Sequence, residues 1–230
     1  MTPNSRQFSR RLFLTDSAAG LALAGLGLAG TLGPPSRRSR LKVPAPMLPP
    51  VPAVLLTVKG MPGDPDEISV LWTFVINGDP PQIGVSAGKD HVANRLIARH
   101  REFVLNVPVA DMVVPFDRVD MNSERVADKF RLAGLTRGRA LQVDAPTVEE
   151  APIQVECRVF KTVDVPPIRT LYLATAVATT TLEGVCDPGG RLNVSRVPFF
   201  GMTAGSGEFY TMGSRVGHIG QTVGRNDIRY

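Results

Sequence analysis

Apolar residues in this chain come in short runs broken by Gly, Pro, Asn and Asp, a rhythm that predicts strands and turns rather than long helices. The run Ile68 to Ile76 is almost wholly apolar and rich in β-branched and aromatic residues. It predicts one buried strand, closed by the turn Asn77-Gly78-Asp79-Pro80-Pro81, with Gln82 to Ser86 and Phe103 to Val107 as its neighbours. Between those neighbours, Val92, Leu96 and Ile97 recur at helical spacing, so Asp90 to His100 reads as a short helix with Asp90 as N-cap. Upstream, Ala53 to Val58 gives the first strand and Gly60 to Asp66 a turn. Downstream, Ser123 is the expected N-cap of a helix through Val126, Lys129, Phe130 and Ala133 that stops at Gly134. Ile153, Val155, Cys157 and Val159 alternate with polar residues, as do Leu171, Leu173, Thr175 and Val177, which predicts two antiparallel strands. Cys186 to Gly190 is a turn, and Gly201 to Gly207 a loop without the Lys of a P-loop. Many short strands with few short helices make a mainly β, antiparallel barrel the expected fold class.

The pattern changes before residue 51. Ser9-Arg10-Arg11-Leu12-Phe13-Leu14-Thr15 followed by the weakly apolar, Gly/Ala-rich Ala18 to Leu32 reads as a twin-arginine export signal, shorter than a stable membrane span requires. The expected organisation is a signal segment at 1-33, a Pro/Arg-rich semi-rigid linker at 34-50 and one domain at 51-230. The twin-arginine translocase is then a partner during export, and the location is the periplasm or cell exterior, with tethering by an uncleaved signal as a variant. Charge sharpens the division. Residues 1–42 carry Arg6, Arg10, Arg11, Arg37, Arg38, Arg40 and Lys42 against Asp16 alone, so the chain's formal net charge of +5 sits in this segment and the domain is nearly neutral. A neutral domain lacks the dense cationic surface that nucleic-acid binding needs, so that class is excluded.

Candidate chemistry is sparse. Cys157 and Cys186 are the only cysteines, without a Cys-x-x-Cys or a Cys/His cluster, so no metal site is expected; a disulfide is permitted outside the cytoplasm, and two free or structurally inert thiols are the favoured reading. His91, His100 and His218 show no triad context. At Gly88-Lys89-Asp90-His91 a helix begins directly after a strand. Backbone N–H groups there could bind an anion such as a phosphate, with Lys89 and His91 as donors and Asp90 as a competitor.

An ordered series of blocks then carries a resemblance: the Trp72 strand with Asn77-Gly78-Asp79-Pro80-Pro81, Ile83-Gly84-Val85-Ser86, Glu102 to Pro108, Asp128-Lys129-Phe130 with Ala133-Gly134-Leu135-Thr136, Ala145-Pro146, Val155 to Val159, and Gly207-Glu208-Phe209-Tyr210 with Met212-Gly213. From about Pro50 to Gly224 the chain resembles the flavin reductase-like, FMN-binding split-barrel family, the flavoredoxin-like group. That resemblance implies a Greek-key split barrel, a homodimer with flavin near the subunit interface, FMN as cofactor and NAD(P)H as a candidate electron donor. It also implies the cofactor contacts. Backbone at Ser69, Val70, Leu71 and Trp72 would meet the polar edge of the ring, and Ser86, Lys89 and His91 the phosphate side. Asn106 would reach ribityl or ring oxygens, and Tyr210 lies near the flavin or interface, with a core tyrosine as the alternative. Lys129 is read as a phosphate contact or a solvated helical lysine. No catalytic side chain is assigned, because the flavin supplies the hydride chemistry. The chain departs from the family pattern at His91 and Ala93, where an Arg and a Thr are common, at Leu71 in place of a Ser, and at Arg169 in place of a frequent His. Three readings follow: an exported flavin-dependent oxidoreductase, a non-catalytic flavin-binding electron carrier, and a barrel that has lost flavin and serves as a binding module.

Overall fold

In a computed structural model that describes residues 40, 42–122 and 128–224, the chain from Pro44 onward folds as mainly antiparallel sheet with a few short helices. The strands are β1 (Val51–Pro52), β2 (Leu55–Val58), β3 (Glu67–Val70), β4 (Trp72–Gly78), β5 (Pro81–Gly88), β6 (Glu102–Val107), β7 (Arg137–Arg139), β8 (Pro146–Val148), β9 (Ile153–Val165), β10 (Arg169–Thr181), β11 (Phe200–Met202) and β12 (Phe209–Thr211). The α-helices are α1 (Val92–His100), α2 (Val113–Met121) and α3 (Lys129–Ala133). Seven strands form one sheet in the order β3-β2-β6-β9-β10-β5-β4, beside a small sheet β1-β11-β12 and the ribbon β7-β8.

The two edge strands of the large sheet, β3 and β4, are consecutive in the chain with only Leu71 between them. One residue spans at most about 3.6 Å. The sheet must therefore curl until its edges meet, and a barrel is the only shape compatible with this strand order. Leu71 is buried at that seam, in the core with Leu56, Val58, Val85, Phe103, Leu105, Tyr172 and the Ala93, Leu96 and Ile97 face of α1. A second core lies on the other side of β2 and β3, where Leu55 and Ile68 pack with Phe116 and Val119 of α2 and Phe130 and Ala133 of α3. Phe116, Phe200 and Phe209 meet pairwise edge-to-face at 5.5 to 5.7 Å, which fixes the small sheet against α2.

Several sequence expectations are corrected here. The run 68–76 is not one strand. It breaks at Leu71, and its second half lies exposed at Trp72, Phe74, Val75 and Ile76. Phe103 to Val107 pairs with β2 and β9 rather than with this run; Gln82 to Ser86 does pair with β4. Periodicity failed because an apolar run does not report on which face each half is buried. The N-cap of α1 is His91 rather than Asp90, and it makes no side-chain capping bond. For α3 the cap is Asp128, whose carboxylate accepts the Arg131 N–H at 3.3 Å, while Ser123 and Val126 lie outside the described residues. Gly134 ends α3 in the left-handed conformation, as expected of a stop. β9 and β10 are antiparallel neighbours, but the inward face of β10 carries Tyr172 and Ala174, so Leu171 and Leu173 point to the outside.

Among the described residues the buried side-chain polar atoms are paired, except His100 Nε2, which is buried without a hydrogen-bond partner. Glu156, 1% exposed, accepts backbone N–H bonds from Leu141 (2.8 Å), Gln142 (2.6 Å) and Val143 (3.1 Å), which ties the segment before β8 to β9. Asn106, fully buried, donates to Leu55 O (3.0 Å) and Thr57 Oγ1 (3.1 Å) and accepts from Val148 N (2.8 Å). Cys157 and Cys186 are both free, and burial, helped by the Glu156 charge, pushes the Cys157 thiol up to about 12, so it is inert.

Two outcomes test this framework. Glu156→Gln replaces an acceptor oxygen by an amide that faces N–H donors, and should cost about 1–3 kcal/mol of unfolding free energy in urea titration. At the start of α3, burial pushes the Asp128 carboxyl up, but the Arg137 hydrogen bond, the Arg131 and Phe130 N–H groups and the Arg137 charge outweigh it and hold the carboxyl below its ordinary value. Its contribution is therefore present above the ordinary carboxylate range and fades as pH falls through the depressed value. Asp128→Asn should lower the urea midpoint at pH 7, and the difference from wild type should shrink toward zero as pH falls through the depressed value.

Candidate functional site

Strand register decides which side chains share the outer surface of β4, β5 and β10. Thr73, Val85 and Tyr172 form one row across the three strands and point inward. The rows on either side therefore point outward. Trp72, Ser86 and Leu171 form one, and Phe74, Gly84 and Leu173 the next. Gly88 pairs with Arg169 at the end of the strip. Trp72 and Phe74 are 39% and 44% exposed, so the strip is apolar and open at one end.

Small residues at three successive outward positions of β5, Gly84, Ser86 and Gly88, keep this surface shallow. A Cβ at Gly84 would fall 2.3 Å from the Phe74 ring, so that ring rests on the bare backbone. A Cβ at Gly88 would lie 3.1 Å from the His91 ring and 3.0 Å from an Asp90 carboxylate oxygen, so the start of α1 leans over Gly88. The Lys89 N–H donates to Ile168 O at 2.9 Å and the Lys89 ammonium pairs with Asp164, which together pin the tip of the β9–β10 hairpin to the end of β5. His91 Nε2 stands 3.9 Å from Asp90 Oδ1. The strip thus runs from an aromatic, apolar floor to an end that carries the cations Lys89 and Arg169 and the His91 ring.

Trp72, Ser86, Lys89 and His91, all expected from the sequence, come together on this surface. The others lie elsewhere. Lys129 is neither solvated nor at the surface. Its side chain is 4% exposed, its ammonium lies 2.7 Å from Glu67 Oε1 and 3.4 Å from Ser69 Oγ, and Ser69 in turn donates to Glu67 at 2.6 Å. Ser69, Leu71 and Asn106 are buried, and the Asn106 amide is engaged by the bonds already described. Val70 is half-buried against the second core. Backbone at the 70–72 seam belongs to two sheet edges, each paired on one side only. Tyr210 is exposed on β12, where the Glu208 charge pushes its hydroxyl up.

Phe74, Gly84, Leu171 and Arg169 are surface members that sequence reasoning did not include as contacts. Their signal was the register itself, since small residues at 84, 86 and 88 face Leu173, Leu171 and Arg169 only when β5 and β10 pair in this phase. Gly84-Val85-Ser86-Ala87-Gly88 also has the spacing of a serine-hydrolase elbow. Ser86, however, sits inside β5 with neighbours on both sides, not at a strained strand-to-helix turn, and is not a nucleophile of that kind. Among the described residues no group of three His, Cys, Asp or Glu could hold a metal ion.

Comparison with known proteins agrees with this geometry. An uncharacterised protein of Pyrococcus abyssi is 29% identical over 135 residues, 57% of this chain and 76% of that protein. Flavoredoxin of Desulfovibrio vulgaris (Miyazaki F) superposes with a TM-score of 0.73 at 22% identity, over 80% of this chain and 97% of the other. Flavoredoxin from Methanosarcina acetivorans superposes with a TM-score of 0.71 at 21% identity, over 81% and 100%. These structures share the fold, a flavin reductase-like split barrel. Residues 49–188, more than half of the chain, match the Flavin reductase like domain, and the chain belongs to that family.

Proposed function

We propose that this chain is an exported, FMN-binding oxidoreductase that passes hydride or electrons from NAD(P)H or another reduced donor through bound flavin. The observation that carries this reading is the outer strip of β4, β5 and β10. A planar, apolar ring system with an anionic tail matches a shallow aromatic floor that ends in cations. FMN, when bound, supplies the hydride-accepting chemistry. The residues of this chain have other tasks. Trp72, Phe74 and Leu171 offer the ring an apolar surface and exclude water from one face. Backbone at the 70–72 seam faces the polar edge of the ring, and Lys89 and His91 hold the phosphate end.

One sheet surface covers only one face of a ring. A second copy of the chain, seated against exposed Trp72, Phe74, Val75 and Ile76, would supply the opposite wall, and a homodimer is part of the proposal. Export rests on Ser9 to Thr15, which lie outside the described residues. Folded export accords with a cofactor loaded before translocation.

Protein purified from a twin-arginine-competent host should show the absorption bands of oxidised flavin and release FMN on denaturation. Bleaching by NADH or NADPH in a stopped-flow experiment establishes the oxidoreductase. Bleaching by dithionite alone would convert the assignment to an electron carrier, and a colourless protein that fails to take up added FMN would sink both. For export, replacing Arg10 and Arg11 by Lys should retain the protein in the cytoplasm, read by fractionation; unchanged export would remove the twin-arginine assignment.

A further inference from the structure

The end of the β9–β10 hairpin projects from the barrel with a distinctive make-up. β9 leaves β6 after the ladder pair of Arg158 with Glu102 and runs on through Val165, so at about 3.3 Å per residue the turn stands about 20 Å past that neighbour. The turn is Pro166-Pro167-Ile168, preceded by Val165, and no polar side chain interrupts the run. Ile168 is 63% and Val165 40% exposed, and both prolines are exposed. Backbone polarity is low as well, because the prolines carry no N–H and the Ile168 carbonyl accepts the Lys89 N–H at 2.9 Å.

α1 lies along this projection. Three ties place it there: the Lys89 N–H on Ile168 O just before the helix, the Tyr172 hydroxyl at Asn94 O (2.9 Å) and Oδ1 (2.7 Å) within it, and the Arg101 guanidinium on Thr162 Oγ1 (2.6 Å) and Val159 O (3.3 Å) at its end. Ala93, Leu96 and Ile97 face the core, which leaves Arg95 and Arg99, four apart and exposed, on the solvent face. Lys89, Arg95, Arg99, Arg101, Lys161 and Arg169 thus collar the apolar turn. The acids among them are Asp90 and Asp164, the second paired with Lys89, while Glu102 accepts the Asp144 N–H at 2.7 Å and lies 3.7 Å from Arg158. The domain as a whole is nearly neutral, so the collar is a local segregation of positive charge.

We propose that this end of the barrel is a membrane-docking surface: Val165 to Ile168 enter the interface of an anionic bilayer, and the collar meets its phosphates. A short apolar insertion with cations at headgroup level is the chemistry of an interfacial anchor. A convex apolar turn fits a fluid surface, whereas an acidic protein partner would need a pocket to receive it. The turn lies beyond the Gly88 end of β5, and Val75 pairs near its other end, so docking does not compete with a second copy seated on β4. The inference is independent of the flavin reading.

The test mixes the full chain with vesicles of phosphatidylcholine, alone or equimolar with phosphatidylglycerol. Wild type is compared with Ile168→Trp, the pair Val165→Ser and Ile168→Ser, and the pair Arg95→Gln and Arg99→Gln. Cosedimentation gives the partition, and brominated acyl chains report depth through quenching of the emission that Ile168→Trp adds to that of Trp72. The N-terminal cations of the full chain can bind such vesicles themselves, so depth decides over partition. The added emission should shift to the blue and be quenched on the anionic vesicles. The serine pair should weaken partition roughly tenfold or more. The glutamine pair should weaken it about fivefold for each charge at low salt, an effect that shrinks as salt is added. No partition at all, or unquenched emission from vesicle-bound protein, overturns the proposal. Unquenched emission together with weaker binding by the glutamine pair makes the collar a patch for an acidic macromolecule instead. A shift from dimer to monomer in the serine pair, with partition unchanged, makes the turn an interface between copies and overturns the proposal equally. Circular dichroism checks the fold of each variant, and if a pair fails to fold, the quenching of Ile168→Trp decides alone.

Discussion

The covalent seam at Leu71 is the constraint on which the rest of this fold depends. Strand order places β3 and β4 at opposite edges of the large sheet, and the chain leaves no slack between them. Closure follows, and with it the division between an inner face that must be filled and an outer face free to carry other chemistry. Leu71 itself fills the inside and is 4% exposed. A polar residue here would have to find partners at a corner whose backbone already lacks them on one side.

Around the seam, polar groups are divided by location. Inside, they are matched: Glu67 with Lys129 and Ser69, Asn106 with β2 and β8, Glu156 with three N–H groups. Removing one member of such a set strands a buried partner, which is why these residues act as fasteners between α3, β3, β6 and β9 rather than as ligand contacts. Outside, the balance differs. The strip over β4, β5 and β10 combines exposed aromatic rings, bare glycine backbone and a guanidinium without an acceptor among the described residues. Apart from the unpartnered His100 Nε2, an interior whose polar groups are matched beside an open, mixed surface is the arrangement expected of a scaffold that presents a binding face.

Much of this was readable in the sequence. Short apolar runs and turn residues pointed to the strand-rich class, and the Gly134 stop and the antiparallel pair β9–β10 were correctly placed. The block order from Pro50 to Gly224 carried the family. What sequence could not show was phase. Ile68 to Ile76 looks uniform, yet its first half is buried and its second half exposed, because hydrophobicity on an outward face and on a core face is written in the same residues. Lys129 is the parallel case among charges. Nothing local marks it as buried, since its partner Glu67 lies far away in the chain, and the same distance hid the pairing of Gly88 with Arg169. Outer-strip membership is a property of pairing between β5 and β10, and a single strand carries no record of its partner's register.

The pin between Lys89 and the β9–β10 hairpin gives the cationic end a mechanical property. The turn of that hairpin, Pro166 to Ile168, lies beyond the ladder pair of Arg169 with Gly88, and Lys89 holds this end by a backbone hydrogen bond to Ile168 and an ion pair with Asp164 whose side chains are 39% and 65% exposed. Charges so exposed are screened within a Debye length of about 10 Å at 0.1 M salt. The turn beside Arg169 therefore carries a latch whose grip depends on the ionic strength of the surrounding medium, whereas the aromatic end of the same surface, held by the β4–β5 ladder and by the Phe74 ring on Gly84, does not respond to salt in that way.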